Sequence, residues 1–548
     1  MALNTRRSFL RKSAATLLAP GAAAFGSVRA PATRPFVPTW ESLAAYQTPD
    51  WFRDAKFGIW AHWGPQCVPE QGDWYARNMY REGQGQYKYQ CEHYGHPSRA
   101  GFKDIIHQWK AENWDPEHLV GLYKKAGAKY FMAMANHHDN FDNYDSKYQP
   151  WNSVNLGPKK DLIGSWEKAA RRAGLRFAVS SHAAHAWSWY EVAQGADKSG
   201  PLAGVPYDGK LTKADGKGLW WEGRDPQELY AQNHAPGAGG LVWDWNAARG
   251  SSLPDAAYCE KFYNRTIDLI DKYHPDLLYF DDTVLPLHPI SDVGLRIAAY
   301  QYNTSIKRSG KLEGVVTGKV LSPAQRKCLV WDIERGVSNT IEPLPWQTDT
   351  CIGQWHYSRP LFERKGYKKP GMVAQMLVDI ISKNGNLMLN IPLPGGGAPD
   401  SEELAFLSDF TDWMHINSDA IYGTRPWKVS GEGPSVEAAA EPLRAQGFNE
   451  GRNKPYVAQD LRFVTKGDDT LYAFAMGWPN GESAQTLTIK SLASGSPLAP
   501  GRVERVNLLG VPGPLKFTRT TNGLVLTLPA QKPCDYVYAF KIRGRGIV

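Results

Sequence analysis

Cysteine is scarce and shows no pattern. Six cysteines (67, 91, 259, 328, 351 and 534) are scattered over 548 residues without CxxC spacing. That excludes a zinc ribbon and a disulfide scaffold, and makes buried free thiols the expectation. No segment after the N-terminal region is long and apolar enough to span a bilayer. There is no internal repeat and no low-complexity tract. A strong charge bias is missing as well. The formal net charge is +8, but Arg6, Arg7, Arg11, Lys12 and Arg29 contribute five positive charges with no acid among residues 1–30, leaving +3 for the rest. A body so near neutrality gives no reason to expect nucleic acid or an acidic polymer as partner.

Aromatic residues, by contrast, are abundant, with 21 Trp and 26 Tyr. Flat rings stack on the C–H faces of sugars, which raises the expectation of carbohydrate binding, although Trp also fills large cores. The N-terminus carries an address. Thr5-Arg6-Arg7-Ser8-Phe9-Leu10-Arg11-Lys12 is a twin-arginine pattern, followed by a weakly apolar stretch and by Val28-Arg29-Ala30, small enough for cleavage. Residues 1–30 are therefore expected to be a signal peptide, and the mature protein periplasmic or secreted. The stretch is short, Ala- and Gly-rich and broken by Pro20, so it is not expected to remain as a membrane span.

From about residue 50 to 420 short apolar runs alternate with helical patterns, the signature of parallel β/α units. Strands are expected at Phe57–His62, Tyr130–Ala135, Phe177–Ser181, Leu277–Asp281, Gly314–Thr317, Leu329–Ile333 and Leu387–Ile391. Helices are expected at Glu117–Ala126, Asp161–Ala173, Pro254–Tyr273 and Met372–Lys383. Several runs end in polar clusters: His62-Trp63-Gly64, Asn136-His137-His138-Asp139, His182, Asp281-Asp282 and Asp332–Glu334. Chemistry at the C-terminal ends of parallel strands marks a (β/α)₈ TIM-like barrel; a doubly wound sheet would bring a single switch point and a Gly-rich turn, and neither is evident. Between 194 and 253 the periodicity fails, as in a long functional or mobile loop. After Trp427 the pattern changes again. Residues 429–455 read as a linker or crossover, and 456–548 as an antiparallel β-sandwich of short alternating strands. The catalytic barrel domain is accordingly expected at 31–428.

Hydrolysis of a glycoside with retention needs two carboxyl groups about 5–5.5 Å apart, one to attack the anomeric carbon and one to protonate the leaving oxygen. Along Leu277-Leu278-Tyr279-Phe280-Asp281 side chains alternate, so Asp281 shares a face with Leu277 and Tyr279 and can point into a barrel mouth. An Asp at such a place can equally cap the next loop. His137 and His138, with His182 and His185, can be read as metal ligands. They can also be read as donors to sugar hydroxyls.

Trp51–Pro65, Trp74–Tyr80, Lys129–Tyr148, Trp151-Asn152, Lys160-Asp161-Leu162, Pro275–Asp281 and Asn384–Ile391 together resemble the α-L-fucosidases of glycoside hydrolase family 29. So do Asp460–Phe463, Gly477-Trp478-Pro479 and Leu508-Leu509-Gly510 in the small domain. The resemblance runs in order over about residues 40–545. It implies exo-acting hydrolysis of terminal α-L-fucosyl residues from a glycan by double displacement, with no cofactor or metal. Asp281 would be the nucleophile. His62, His137 and His138 would hold the fucose hydroxyls, Asp73 and Trp74 would form a carboxylate–Trp pair at the sugar, and Trp355 would pack near its methyl group. His182 is a further substrate-binding candidate, at a position that varies in the family. Two departures stand out. Asp282 replaces the Gly that commonly follows the nucleophile, and the acid/base has no fixed position. Glu334 is the choice here because it follows a strand and lies at a plausible distance upstream of Trp346 and Cys351, with Glu342 second; Arg335 is given no catalytic role. The rival readings are a metal-dependent hydrolase using the histidines and a fucose-binding protein on an inactive barrel.

Overall fold

The seven apolar runs and one polar stretch become eight parallel strands that close into a barrel: β1 Phe57–Ala61, β2 Tyr130–Asn136, β3 Arg176–Ser181, β4 Leu277–Phe280, β5 Val315–Gly318, β6 Val330–Glu334, β7 Trp346–Cys351 and β8 Gly385–Asn390. Closure is made by β1 against β8, with Phe57 opposite Leu387 and Trp60 opposite Asn390. The computed structural model describes residues 35–231, 234–437, 449–450, 455–480 and 485–548. The twin-arginine segment lies outside them. Among the described residues no helix is long and apolar enough to cross a membrane. All six cysteines are free.

The expected helices form at Pro116–Lys125, Leu162–Arg172, Ala256–Tyr273 and Pro370–Ser382. Acidic caps start the first three: Asp115 accepts from the His118 N–H at 3.0 Å, Asp161 from the Gly164 N–H at 3.0 Å and Asp255 from the Tyr258 N–H at 2.7 Å. Such a cap satisfies one of the orphan donors of the first turn and contributes about 1 kcal/mol.

One barrel strand, β7, carried no apolar run. Gln347, Thr348, Asp349 and Thr350 are nevertheless fully buried, and their polar groups find partners inside. The Tyr130 hydroxyl donates to Gln347 Oε1 at 3.0 Å, Gln347 Nε2 donates to Asp332 Oδ1 at 2.9 Å, and the Tyr279 hydroxyl donates to Asp349 Oδ2 at 2.7 Å. The floor of the barrel is thus a polar layer in which each of these side chains has a hydrogen-bond partner, although Asp332 Oδ2 and Asp349 Oδ1 find none among the described residues. Gly58 makes room for it. A Cβ there would sit 2.6 Å from the Tyr130 ring.

Behind the barrel β9 to β16 form two antiparallel sheets. Five strands run in the order β13-β16-β11-β10-β9 (Arg502–Leu508, Tyr538–Arg545, Thr470–Ala475, Leu461–Lys466, Arg425–Glu432). Three run as β12-β15-β14 (Thr486–Ile489, Gly523–Thr527, Phe517–Thr520). β9 crosses the boundary expected at residue 428, so the sheet begins at the end of the stretch read as the catalytic domain and runs into the one read as a linker; most of the rest of that linker stretch lies outside the described residues. Alternation splits β10 and β11 between two cores. Phe463, Leu471 and Ala473 face the sandwich interior, whereas Val464, Tyr472 and Phe474 pack with the barrel's helices. The junction also holds a buried ion cluster, in which Asp379 lies 2.6 Å from Arg462 Nε and 2.7 Å from Lys383 Nζ. Removing one partner of a buried pair costs about 3–5 kcal/mol.

Candidate active site

Period-two alternation carries the inward face of each strand to the barrel mouth. Two residues beyond inward-facing Trp60 comes His62; beyond Ser180, His182; beyond Tyr279, Asp281; beyond Thr317, Lys319; beyond Asp332, Glu334. The side chains meet around a cavity of about 650 Å³ at the C-terminal ends of the strands. Asp281, Glu334, His62, Asp73, Trp74, His137, His182 and Trp355 all line it. His138 is fully buried just behind. Its Nδ1 is held by the His182 carbonyl at 2.7 Å, which turns Nε2 to within 3.2 Å of Asp281 Oδ2.

The group missed in the sequence is Lys319, immediately after β5. Its Nζ donates to Asp281 Oδ1 at 2.7 Å and to Glu334 Oε2 at 2.6 Å. Two oxygens touching one ammonium cannot be farther apart than those distances laid end to end, roughly 5.3 Å, short of the ~6.5–9.5 Å that an inverting pair leaves for water. A lone cation at a strand's C-terminal end was the available signal.

The two carboxyls differ in ionisation. Burial works to raise Asp281, but Lys319, His138 and His182 outweigh it and hold the group well below the usual carboxylate range. Glu334 is pushed up to about 7, first by burial and then by the charge of Asp281, against the opposing pull of Lys319. Lys319 itself stays cationic: burial disfavours its charge, and Asp281 and Glu334 more than offset that.

Burial, followed by the neighbouring imidazoles, pushes His62 and His137 well below the ordinary histidine range. His182 falls to about 4, chiefly through burial. These rings are neutral donor–acceptors at neutral pH. Gln66 Nε2 lies 2.7 Å from His137 Nδ1 and occupies it as an acceptor, leaving Nε2–H of that ring to donate into the cavity. Both ring nitrogens of His62 and of His356, and Nε2 of His182, are buried without a protein partner among the described residues. His356 is a second missed residue. Donor atoms of His62, His137 and His356, and of His137, His138 and His182, lie within 4.8 Å of one another, so the cluster has the makings of a cation site as well as of a polyol site.

Asp73 and Trp74 reach the mouth through a strained turn. Gly72 has φ +77°, and a Cβ there would fall 1.7 Å from Gln354 Oε1. Trp74 is left-handed at φ 66°. The Asp73 carboxylate accepts from the His356 N–H at 2.7 Å, tying this turn to Trp355 and His356 after β7. The 194–253 segment packs through short turns and contributes Trp243, whose ring lies 6.0 Å from Trp74 and 5.3 Å from His138.

The sequence alternatives separate in space. Asp282 turns away from Lys319 and lies 3.0 Å from His185 Nε2. Glu342 is outside the cavity; it accepts from Ser338 Oγ at 2.6 Å and pairs with Arg326 at 3.3 Å, near the opposite end of the barrel.

Close carboxylates of opposed ionisation suit the cleavage of an acetal, and neutral imidazoles suit a polyol. The class defined by such a mouth is a carbohydrate-cleaving barrel enzyme. Comparison with known proteins narrows it. The α-L-fucosidase family model matches residues 23–419, and that of the α-L-fucosidase C-terminal domain matches 453–543. The chain belongs to the α-L-fucosidase family. It is 25% identical over 534 residues to the tissue α-L-fucosidase of Macaca fascicularis, covering 94% of this chain and 93% of that one. It is 25% identical to the human plasma α-L-fucosidase, with 93% of each chain covered. The structure of Thermotoga maritima α-fucosidase with a mechanism-based inhibitor superposes with a TM-score of 0.66 at 23% identity, over 93% of this chain and 100% of that one. That likeness extends to both the barrel and the sandwich.

Proposed function

We propose that the protein is an exported, exo-acting α-L-fucosidase that removes terminal α-L-fucosyl residues from glycans with retention, using no metal. Asp281 attacks the anomeric carbon from its ionised state, while Glu334 gives its proton to the departing oxygen. When Asp281 becomes the ester its charge is gone, the pKa of Glu334 falls, and the same carboxylate takes a proton from the incoming water. The imidazoles of His62, His137 and His182 hold the fucose hydroxyls, with His138 behind them against Asp281 and with Asp73, Trp74 and Trp355 around the sugar. The observation that carries this reading is the pair of contacts from Lys319 Nζ to Asp281 and Glu334, which brings one carboxyl kept ionised close to one kept protonated. Export through a twin-arginine translocase, with residues 1–30 as the address, 31–428 as the catalytic domain and 456–548 as the sandwich domain, belongs to the same proposal.

The test uses an aryl α-L-fucoside. The enzyme should turn it over, with or without a chelator. Asp281→Gly should lose several orders of magnitude, because no covalent intermediate can form. Azide should then enter the vacated space and yield β-fucosyl azide. That product from Asp282→Gly, and not from Asp281→Gly, would refute the nucleophile assignment. Loss of turnover with the chelator would refute the metal-free mechanism.

A further inference from the structure

Glu334 is followed by a loop that a distant part of the chain holds down. Arg335 has a left-handed φ of 45°, and its N–H donates to the Asp349 carbonyl at 2.8 Å. Asn449 and Glu450, which lie between β9 and β10 in the chain, clasp the residues that come next. The Glu450 N–H donates to the Arg335 carbonyl at 2.8 Å. Asn449, only 2% exposed, accepts from the Val337 N–H at 2.8 Å and donates to the Val337 carbonyl at 3.0 Å. The Glu450 side chain then fixes the guanidinium. Its Oε2 lies 3.4 Å from Arg335 Nε and accepts from Thr350 Oγ1 at 2.9 Å, while its Oε1 is 2.8 Å from Lys368 Nζ. Arg335 lines the catalytic cavity with its side chain about one third exposed. Nε is engaged, and among the described residues its two Nη groups donate to nothing.

We propose that Arg335 is a recognition residue of the leaving-group subsite, donating its Nη hydrogens to oxygens of the sugar being released, and that Asn449 and Glu450 are positioning residues that hold it there. The inference rests on Glu334 being the acid/base. The departing sugar must lie against that carboxyl, and Arg335 is its chain neighbour on the cavity wall. A guanidinium pre-oriented by a carboxylate loses little freedom when it binds, which suits planar, multidentate hydrogen bonding. The occupant is a neutral sugar. Glu450 offsets the arginine's charge, and Asp73, Asp281 and Glu334 in the same cavity disfavour an anion.

The test compares kcat/KM for a neutral fucosylated disaccharide with that for an activated aryl fucoside. Arg335→Met should lower the disaccharide-to-aryl ratio about ten- to a hundredfold, the loss expected for one or two charge-assisted hydrogen bonds. Glu450→Gln should lower the same ratio about tenfold, and Glu450→Asp should recover part of it. The alkaline limb of the pH profile should stay in place in all three, because Glu334 is untouched. Equal losses on both substrates, an unchanged ratio or a displaced alkaline limb would overturn the proposal. An enzyme without activity on any aryl α-L-fucoside would instead refute the fucosidase reading on which it rests.

Discussion

Replacing Lys319 with methionine should shift both limbs of the pH–rate profile towards alkaline pH. At 2.6 and 2.7 Å the ammonium touches both carboxylates. The bare attraction to either is about 6 kcal/mol at an effective dielectric of roughly 20. The carboxylate side chains are 24% and 20% exposed, so solvent screening and the desolvation of lysine remove much of that, and a fraction of it remains for each partner. The sign follows from the charge. A cation favours the ionised carboxylate, so its removal raises both pKa values. Asp281 must be ionised to attack; its limb, now below the usual carboxylate range, rises towards that range. Glu334 must be protonated to donate; its limb, now at about 7, moves to higher pH still.

The assay is kcat/KM for an aryl fucoside against pH, which reports the free enzyme. The two carboxyls titrate as a pair, so the limbs belong to the pair and both should move together. Lys319→Arg keeps the charge and should leave the limbs close to their original places. Lysine does not itself produce either limb, because its pKa is held well above its ordinary value. A methionine variant that only loses amplitude, with both limbs fixed, would show that Lys319 packs the site without tuning it. A shift of either limb towards acid would refute the electrostatic reasoning outright.

Glu334→Ala should lose far more activity on a fucosylated oligosaccharide than on an aryl fucoside with an acidic phenol, and its alkaline limb should flatten; Glu342→Ala, away from the cavity, should change neither the substrate ratio nor the limb. Equal losses on both substrates in Glu334→Ala, with the limb kept, would refute the acid/base assignment. Changing Arg6-Arg7 to Lys-Lys should strand the precursor in the cytoplasm, measured by fractionation and by the absence of processing; full export of that variant would refute the twin-arginine reading.

The parts of the fold and site that were legible in the sequence are those in which one short window carries both the signal and its meaning. Tyr130–Ala135 and Leu277–Asp281 are apolar runs ending in polar groups, and the period of two along the second already points Asp281 to the side on which the structure has it. β9 was hidden because Pro426 and Gly431 within Arg425–Glu432 look like a linker, although the strand pairs with β10 from Arg425 to Glu432. β7 was hidden because a strand facing a polar floor has no apolar run to show. With β7 unrecognised, His356 just beyond it had no place in the barrel mouth. Lys319 looked like any solvated lysine after a strand. Each of these takes its meaning from a partner elsewhere: Gln347 from Tyr130, Asp349 from Tyr279, Lys319 from Asp281 and Glu334, Arg335 from Glu450. Except for Lys319 and Glu334, which share one stretch of chain, the partners are 38 to 217 residues apart. Local patterning can therefore put chemistry at the end of a strand, but the neighbours that set a pKa or orient a guanidinium exist only once the barrel has closed.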